Sequence, residues 1–390
     1  MTEGFVKIKK WLLPFSWLYG MGVSVRNKLF DFNILKSKVY DVPVIAVGNI
    51  SVGGAGKTPH VEYLIKLLEK DSKVAVLSRG YKRKTKGYIL ANEKSTVKEI
   101  GDEPLQMKRK FPNIFVAVDE DRCDGIDRLI TDEATKETDV ILLDDAFQHR
   151  YVKPGINILL VDFNRQLIHD KLLPAGNLRE SKEGKNRADI VIITKCPKTL
   201  KPMEIRVLTK AMNLYPYQTL LFTTVEYDKL KPIYCGEKRS LESIGKDEHV
   251  LLLAGIASPQ HLINDLKTYT EHVTSLKFRD HHQFTAKDLQ KINQKFEALP
   301  SPKMIITTEK DAVRLLGMEG LSDEVRQHIY VLPINVKFLL EQEEIFNHKI
   351  ISYVHKNSRH SILVKAKDDN KSKDSNHSGN GTRTISFRNY

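Results

Sequence analysis

The sequence predicts an α/β protein: a doubly wound, mostly parallel sheet with a second, smaller α/β lobe joined to it by a β-ribbon. Three observations carry this prediction. Short apolar runs without strict alternation, the pattern of strands buried on both faces, alternate with helix-like stretches from residue 42 to 195. Each run closes on polar or glycine residues, as at the carboxyl ends of parallel strands where function collects. A glycine-rich turn ending in Gly-Lys-Thr separates the first run from an amphipathic stretch.

Taken in order, residues 1–35 form a distinct opening segment. Trp11 to Val25 carries no charge, yet it falls short of the ~20 apolar residues that span a bilayer, and Pro14, Gly20 and Gly22 interrupt it. Arg26, Asn27 and Lys28 stand where a secretory signal would end in small residues. Both tryptophans of the chain lie here among lysines, a composition suited to the interface of an anionic membrane surface. The alternative is a first helix packed on the protein's own core.

Residues 36–215 form the main domain. In "VPVIAVGNISVGGAGKTPH", residues 42–60, a strand runs into a loop and then into the helix "HVEYLIKLLEK". A phosphate cradle needs inward backbone N–H groups, glycines for close approach and a helix N-terminus behind it. The stretch Ser51, Val52, Gly53, Gly54, Ala55, Gly56, Lys57 and Thr58 supplies these, with Lys57 for the β- and γ-phosphates and Thr58 for a Mg²⁺ ion. The usual spacing asks for glycine at position 51. Ser51 is compatible if that residue does not need a positive φ. The fold is therefore of the P-loop NTPase type, and a nucleotide phosphate chain with Mg²⁺ is the expected ligand.

The following runs, "KVAVLSRGY", "NIFVAVDE", "DVILLDDAF", "INILLVDF" and "DIVIITKC", end at Ser78-Arg79, Asp119, Asp144-Asp145, Asp162 and Thr194-Lys195. Asp144 and Asp145 close a hydrophobic strand, and Mg²⁺ beside a phosphate loop takes a carboxylate directly or through water. Asp102 and Glu103 in "GDEP" follow no obvious strand; a helix cap at Asp102 is the plain reading. Arg179 in "LPAGNLRE" is placed to stabilise charge on a transferring phosphoryl group.

Residues 216–355 form the second lobe with its linker. "TLLFTTVEYDKLKPIYC" and "HIYVLPINVKF" are expected to pair as the joining ribbon. His281 and His282 of "RDHHQF" could meet Asp102 across a cleft as a general-base pair. Packed histidines, or a His-His-Asp metal site, are the other readings, although adjacent histidines lack helical ligand spacing. In "TTEKDAVRL", Lys310 and Asp311 read most simply as an ion pair at a helix start. Residues 356–390, polar and basic, read as a disordered tail.

The chain holds 62 Lys/Arg against 49 Asp/Glu, a net +13. Residues 1–40 carry seven basic residues against Glu3 and Asp31, and residues 356–390 carry eight against three aspartates. Basic ends on a nearly balanced middle suggest an anionic surface rather than nucleic acid, and no nucleic acid or obligate protein partner is expected. Cys123, Cys196 and Cys235 lie too far apart for a C-x-x-C motif and imply no disulfide framework.

Taken together, "GNISVGGAGKTP", "LSRGY", "GDEP", "DDAFQH", "LPAGNLRE", "AGIASP", "DHHQF" and "TTEKDAVRL" resemble the tetraacyldisaccharide 4′-kinases, the lipid A 4′-kinases of Gram-negative bacteria. A hydroxyl residue at the position of Ser51 is common in that family; Ala146-Phe147 replaces its usual Gly-Leu. The resemblance implies phosphorylation of the 4′-hydroxyl of a lipid A precursor disaccharide, a tetraacylated glucosamine disaccharide 1-phosphate, with ATP and Mg²⁺. It places the enzyme peripherally on the cytoplasmic face of the inner membrane. It implies Asp102 with His281, or alternatively His282, as base pair. Lys57, Thr58, Asp144 and Asp145 would serve phosphates and metal, with Arg179, Glu103, Gln148 and His149 in support. The rival is a partner-switching ATPase or GTPase of the partition or nitrogenase-iron-protein type. Against it, Val52 replaces the signature lysine, and Pro197 in "TKCP" replaces the aspartate of a guanine motif.

Overall fold

A computed structural model describes residues 8–358, apart from 166, 168, 169, 257 and 258. The strands β1 (Val44–Gly48), β2 (Val74–Ser78), β3 (Ile89–Leu90), β4 (Phe115–Val118) and β5 (Val140–Asp144) come first. They are followed by β6 (Ile156–Asp162), β7 (Ile190–Thr194) and β8 (Thr219–Tyr227). The second lobe adds β9 (Lys231–Pro232), β10 (His249–Ala254), β11 (Val273–Lys277), β12 (Lys303–Thr308) and β13 (Ile329–Leu332), before β14 (Ile334–Phe338).

The large sheet has nine strands in the order β14-β8-β7-β6-β1-β5-β2-β4-β3. Its centre is parallel: β1 lies between β5 and β6 with Val47 opposite Asp144 and Ile158. Antiparallel strands close both edges, β3 on β4 and β14 on β8. The smaller sheet runs β11-β10-β12-β13-β9, parallel except for β9.

The expected ribbon exists and does more than connect. Its halves β8 and β14 extend the large sheet, while β9 and β13 extend the small one. A division at residue 216 therefore falls before the large sheet's own β8, and helix Glu343–Asn357 also returns to that sheet. There Phe346, Ile350 and Val354 are buried against the sheet, and the Tyr353 hydroxyl accepts from the Val44 backbone N–H at 3.2 Å. The helix runs through Asn357, past the start proposed for the tail. The rest of that tail, residues 359–390, lies outside the described residues.

Helix Lys57–Leu68 covers one face of the large sheet, burying Val61, Leu64, Ile65 and Leu68 at helical spacing. Each such side chain contributes about 1.5–3 kcal/mol of burial. Helix Arg122–Thr131 covers the other face through Ile126 and Leu129. The sheet is thus doubly wound, and its polar strand ends point to one rim. At that rim Gly48 is required by close approach: a Cβ there would stand 2.7 Å from the Phe147 Cβ and 2.8 Å from its backbone nitrogen.

The N-terminal helix Leu13–Asp31 inverts the usual amphipathic arrangement. Over its first turns the inner side is made of small residues: Ser16 and Gly20 are buried, with the Ser16 hydroxyl donating to the Leu172 carbonyl and accepting from the Ala175 N–H, both at 2.9 Å. Near its end Phe30 is buried against Tyr151, but before that most large apolar side chains point outward. Trp11 and Trp17 are 74% and 72% exposed, and Phe15, Leu18, Met21 and Val25 are each at least half exposed. Among the described residues no helix is long and apolar enough to cross a membrane.

Candidate active site

The first part of the site is the loop between β1 and helix Lys57–Leu68. Positive φ falls at Gly53 (114°) and Gly56 (85°), conformations that glycine adopts without strain. Ser51 has another role. It sits in an antiparallel bridge with Leu178, between hydrogen bonds from Val52 N–H to the Asn177 carbonyl (2.7 Å) and from Arg179 N–H to the Ile50 carbonyl (2.8 Å). Extended backbone suits serine, and the pairing fastens the strand carrying Arg179 to the loop. No side chain caps the helix start, so its first N–H groups are open to an anion.

Two further contacts hold the loop. Thr194 at the end of β7 donates its hydroxyl to the Ala55 carbonyl at 2.9 Å, and Lys195 reaches the Gly54 carbonyl and Asp162. His60 lies one turn into the helix, with Nδ1 at 2.8 Å from the Gly56 carbonyl and Nε2 at 3.1 Å from the Thr223 hydroxyl. The carbonyl can only accept, so Nδ1 carries the proton and Nε2 accepts from Thr223.

Burial lowers the pKa of His60 to about 4. The unfolded chain, with its histidine near the ordinary 6.5, binds the proton first as pH falls, so stability is lost from about pH 6.5 down to 4. A shift of that size corresponds to about 3 kcal/mol at the lower limit. We expect the urea midpoint of wild type to fall more steeply between pH 7 and 4.5 than that of His60→Asn. Equal slopes would show that His60 does not carry this acid sensitivity.

The second part is the end of β5. Asp144 is buried; its Oδ2 accepts from the Ser78 hydroxyl at 3.1 Å, while Oδ1 has no hydrogen-bond partner among the described residues. Burial, reinforced by the charges of Glu103 and Asp145, pushes its pKa up to about 7. Asp145, in the left-handed region (φ 49°), turns the other way. Lys57 Nζ lies 3.4 Å from its Oδ2 and Arg179 Nη1 3.2 Å from its Oδ1. Burial would raise its pKa, but these two cations outweigh burial and hold it low.

An orphaned buried carboxylate oxygen beside a second carboxylate, with Thr58 on the same cleft, is a donor set that fits Mg²⁺. Among the described residues no three His, Cys, Asp or Glu side chains form a closed metal cage. An open site agrees with Mg²⁺, which keeps waters and takes substrate phosphates as ligands. Beneath the pair lies Arg122, 2% exposed, donating to the carbonyls of Asp119 (2.7 Å) and Asp144 (3.4 Å).

The third part crosses between the lobes. Asp102 opens helix Asp102–Lys110 of the main domain, and its Oδ2 lies 2.9 Å from His281 Nδ1 of the second lobe. His282 does not reach it. That ring stacks on Phe278 at 4.9 Å and bonds Asp288 at 2.9 Å, locking the start of helix Ala286–Glu297. His281 adopts φ 60° and is packed edge-on by Tyr81 at 5.0 Å. Arg314, buried, joins Asp102 to Asp311. Burial alone would raise the pKa of Asp102; the His281 hydrogen bond and the charges of Lys310 and Arg314 hold it far below the carboxylate range.

The expected ion pair of Lys310 with Asp311 is absent. Asp311 is committed to Arg314, the Gly255 N–H and the Thr308 hydroxyl, whereas Lys310 reaches across to Glu103 at 3.1 Å. Of the supporting residues, Gln148 accepts from Arg179 at 3.4 Å and donates to the Asn49 carbonyl at 2.7 Å. His149 stays behind this layer against Tyr151, where burial and the charge of Arg122 lower its pKa to about 4.

Gly53 to Thr58, Glu103, Asp145, Arg179, His281 and Lys310 line one cleft of about 1660 Å³. Ser51, Asp102 and Asp144 stand behind that lining as buried supports. The arrangement sets an uncapped helix start with Lys57 and Arg179 at one wall and a carboxylate-braced imidazole at the other, which suits transfer of a phosphoryl group to a hydroxyl.

Residues 8–355 match the family model described as tetraacyldisaccharide-1-P 4′-kinase. The chain is 59% identical to the tetraacyldisaccharide 4′-kinase of Phocaeicola vulgatus over 363 residues, 93% of this chain and 99% of that protein. It is 52% identical to that of Bacteroides fragilis over 379 residues, 95% and 100% of the two chains. Among solved structures, the "apo" form of LpxK from Aquifex aeolicus in complex with ATP matches with a TM-score of 0.67 at 32% identity. It covers 88% of this chain and 98% of that one.

Proposed function

The chain belongs to the tetraacyldisaccharide-1-phosphate 4′-kinase family, and from that premise we propose how its residues carry out the reaction. The protein is an ATP-dependent lipid A 4′-kinase. The observation that carries the assignment of roles is the 2.9 Å contact of Asp102 with His281, set across the cleft from Lys57.

Asp102, held ionised, accepts from His281 Nδ1 and so leaves Nε2 with the lone pair. The 4′-hydroxyl of the acceptor gives its proton to Nε2 as its oxygen bonds to the γ-phosphorus. The bond from that phosphorus to the β,γ-bridging oxygen breaks, and ADP leaves. Asp102 then faces an imidazolium, which it stabilises. Lys57 and Arg179 exchange Asp145 for phosphoryl oxygens, so charge passes between fixed groups rather than to water. Thr58, Asp144 and Asp145 would hold Mg²⁺, which neutralises phosphate charge when bound.

The outward aromatic face of the N-terminal helix is read as the seat on an anionic lipid surface, with the exposed Lys9, Lys10 and Lys28 beside it. The acceptor's acyl chains remain in the bilayer while its sugar enters the cleft. We place the enzyme on the cytoplasmic face of the inner membrane, peripherally bound. Deleting residues 1–32 should weaken flotation with anionic vesicles at least tenfold, a larger loss than that of ATP affinity, since Tyr19 and Arg26 also brace the Arg179 layer. Undiminished flotation would assign the face to another role.

The function itself is tested by incubating the protein with γ-labelled ATP, Mg²⁺ and the tetraacylated disaccharide 1-phosphate. A labelled lipid is expected. Label released only as free phosphate, with stimulation by a protein partner, would instead support a switching ATPase.

A further inference from the structure

Lys310 occupies the one atom of His281 that the reaction needs. Its Nζ stands 3.2 Å from His281 Nε2, within reach of Glu103 Oε1 (3.1 Å), Asp280 Oδ1 (3.8 Å) and Asp102 Oδ2 (3.9 Å). Nδ1 is engaged by Asp102, so the imidazole lone pair is at Nε2. An ammonium has donors and no acceptor, so Lys310 donates into that lone pair. In this arrangement the base is capped, and no hydroxyl can deliver a proton to it.

The cap has partners on both sides of the cleft. Lys310 is the second residue of the short helix Glu309–Leu315, its side chain lines the cleft, and its firmest carboxylate partner, Glu103, lies on the opposite lobe. An anion entering between the phosphate loop and His281 meets Lys57 and Arg179 from the main domain and Lys310 from the second lobe. Those two main-domain cations are already shared with Asp145, whereas Lys310 lies against the imidazole itself.

We propose that Lys310 is a catalytic residue that uncaps the base: it moves from His281 Nε2 to an oxygen of the transferring phosphoryl group when nucleotide binds. The one movement frees Nε2 for the acceptor hydroxyl and adds a third positive charge to the phosphoryl group. Until nucleotide arrives, His281 cannot deprotonate the acceptor. The inference rests on the kinase reading above and deepens it.

The test is ¹⁵N NMR of the histidine ring nitrogens in the full chain, with His281 assigned by its loss in His281→Gln. Adding Mg²⁺ and β,γ-methylene ATP should shift the His281 Nε2 signal in wild type. In Lys310→Met the signal should start at the uncapped position and stay there. In the transfer assay Lys310→Met should lower kcat about 10²–10³-fold, as for loss of one charge-stabilising donor, with the acceptor KM within threefold.

A His281 signal unmoved by saturating nucleotide in wild type, or a kcat within threefold in the variant, would overturn the proposal. Because the NMR arm needs no turnover, a wild-type protein that phosphorylates no lipid counts against the kinase reading alone.

Discussion

Asp102→Asn is expected to lower kcat about 10²–10⁴-fold while ATP affinity stays within threefold, the signature of a lost general base. Three physical changes combine in that one atom exchange. The amide no longer carries the charge that stabilises His281 as it becomes cationic. Asparagine can donate to Nδ1, which favours the wrong tautomer and places a proton on Nε2, the atom that must accept one. Arg314, buried against Asp102 and Asp311, loses half of its compensation, so the variant is also expected to unfold earlier. Asparagine is preferred to alanine because it keeps the volume and confines that structural cost. Single-turnover transfer measured beside ATP binding separates chemistry from folding, and an unchanged kcat would remove Asp102 from the mechanism.

How much of this was legible beforehand depends on how local each signal is. The strands of the large sheet's centre could be read because parallel strands covered on both faces must be apolar throughout, and their polar ends mark the functional rim. Lys57, Thr58 and the Asp144-Asp145 pair followed from strand, loop and helix in consecutive order. What failed to show was set by contacts distant in sequence. Strands β8 and β14 join across more than a hundred residues, and nothing local says which sheet they extend. Arg314 and Lys310 lie more than two hundred residues from Asp102 and Glu103. In sequence they are only charges spaced along a short helix, so the nearest partner, Asp311, was the natural but mistaken choice for Lys310. Nothing local distinguished the two adjacent histidines; only the resemblance favoured His281 over His282. The structure separates them by orientation: His281 turns to the cleft through a left-handed backbone, and His282 turns to Phe278 and Asp288.

Ser51 shows the converse. Its departure from the common glycine pattern was readable as a question, and the answer is topological. The bridge to Leu178 places Arg179 beside Asp145, so the residue that seemed to weaken the loop joins it to its arginine. The N-terminal helix extends that chain of support: Tyr19 donates to the Arg179 carbonyl at 2.8 Å and Arg26 to the Gln148 carbonyl at 2.6 Å. The proposed membrane seat and Arg179, the arginine proposed for the phosphate, are therefore parts of one hydrogen-bonded layer.

Lys57→Met should give the opposite kinetic pattern to Asp102→Asn. The side chain keeps an unbranched apolar stem of nearly the same length but loses the charge that sits 3.4 Å from Asp145. Asp145 then keeps only Arg179, and the like charge of the two carboxylates bears more heavily on Asp144, whose pKa already stands at about 7. Without Lys57 the phosphate chain loses the cation at the loop itself, so ATP affinity should fall at least tenfold. The transferring group loses one of its stabilising charges, so kcat should fall a further 10²–10³-fold or so. Arginine is not expected to restore it, because a broad planar fork does not fit a loop built around one ammonium. Equilibrium titration with ATP and Mg²⁺, beside transfer at saturating ATP, reads the two losses separately. If Lys57→Met binds ATP as tightly as wild type, the loop is not the phosphate cradle, and the charge balance drawn from Lys57, Asp145 and Arg179 fails with it.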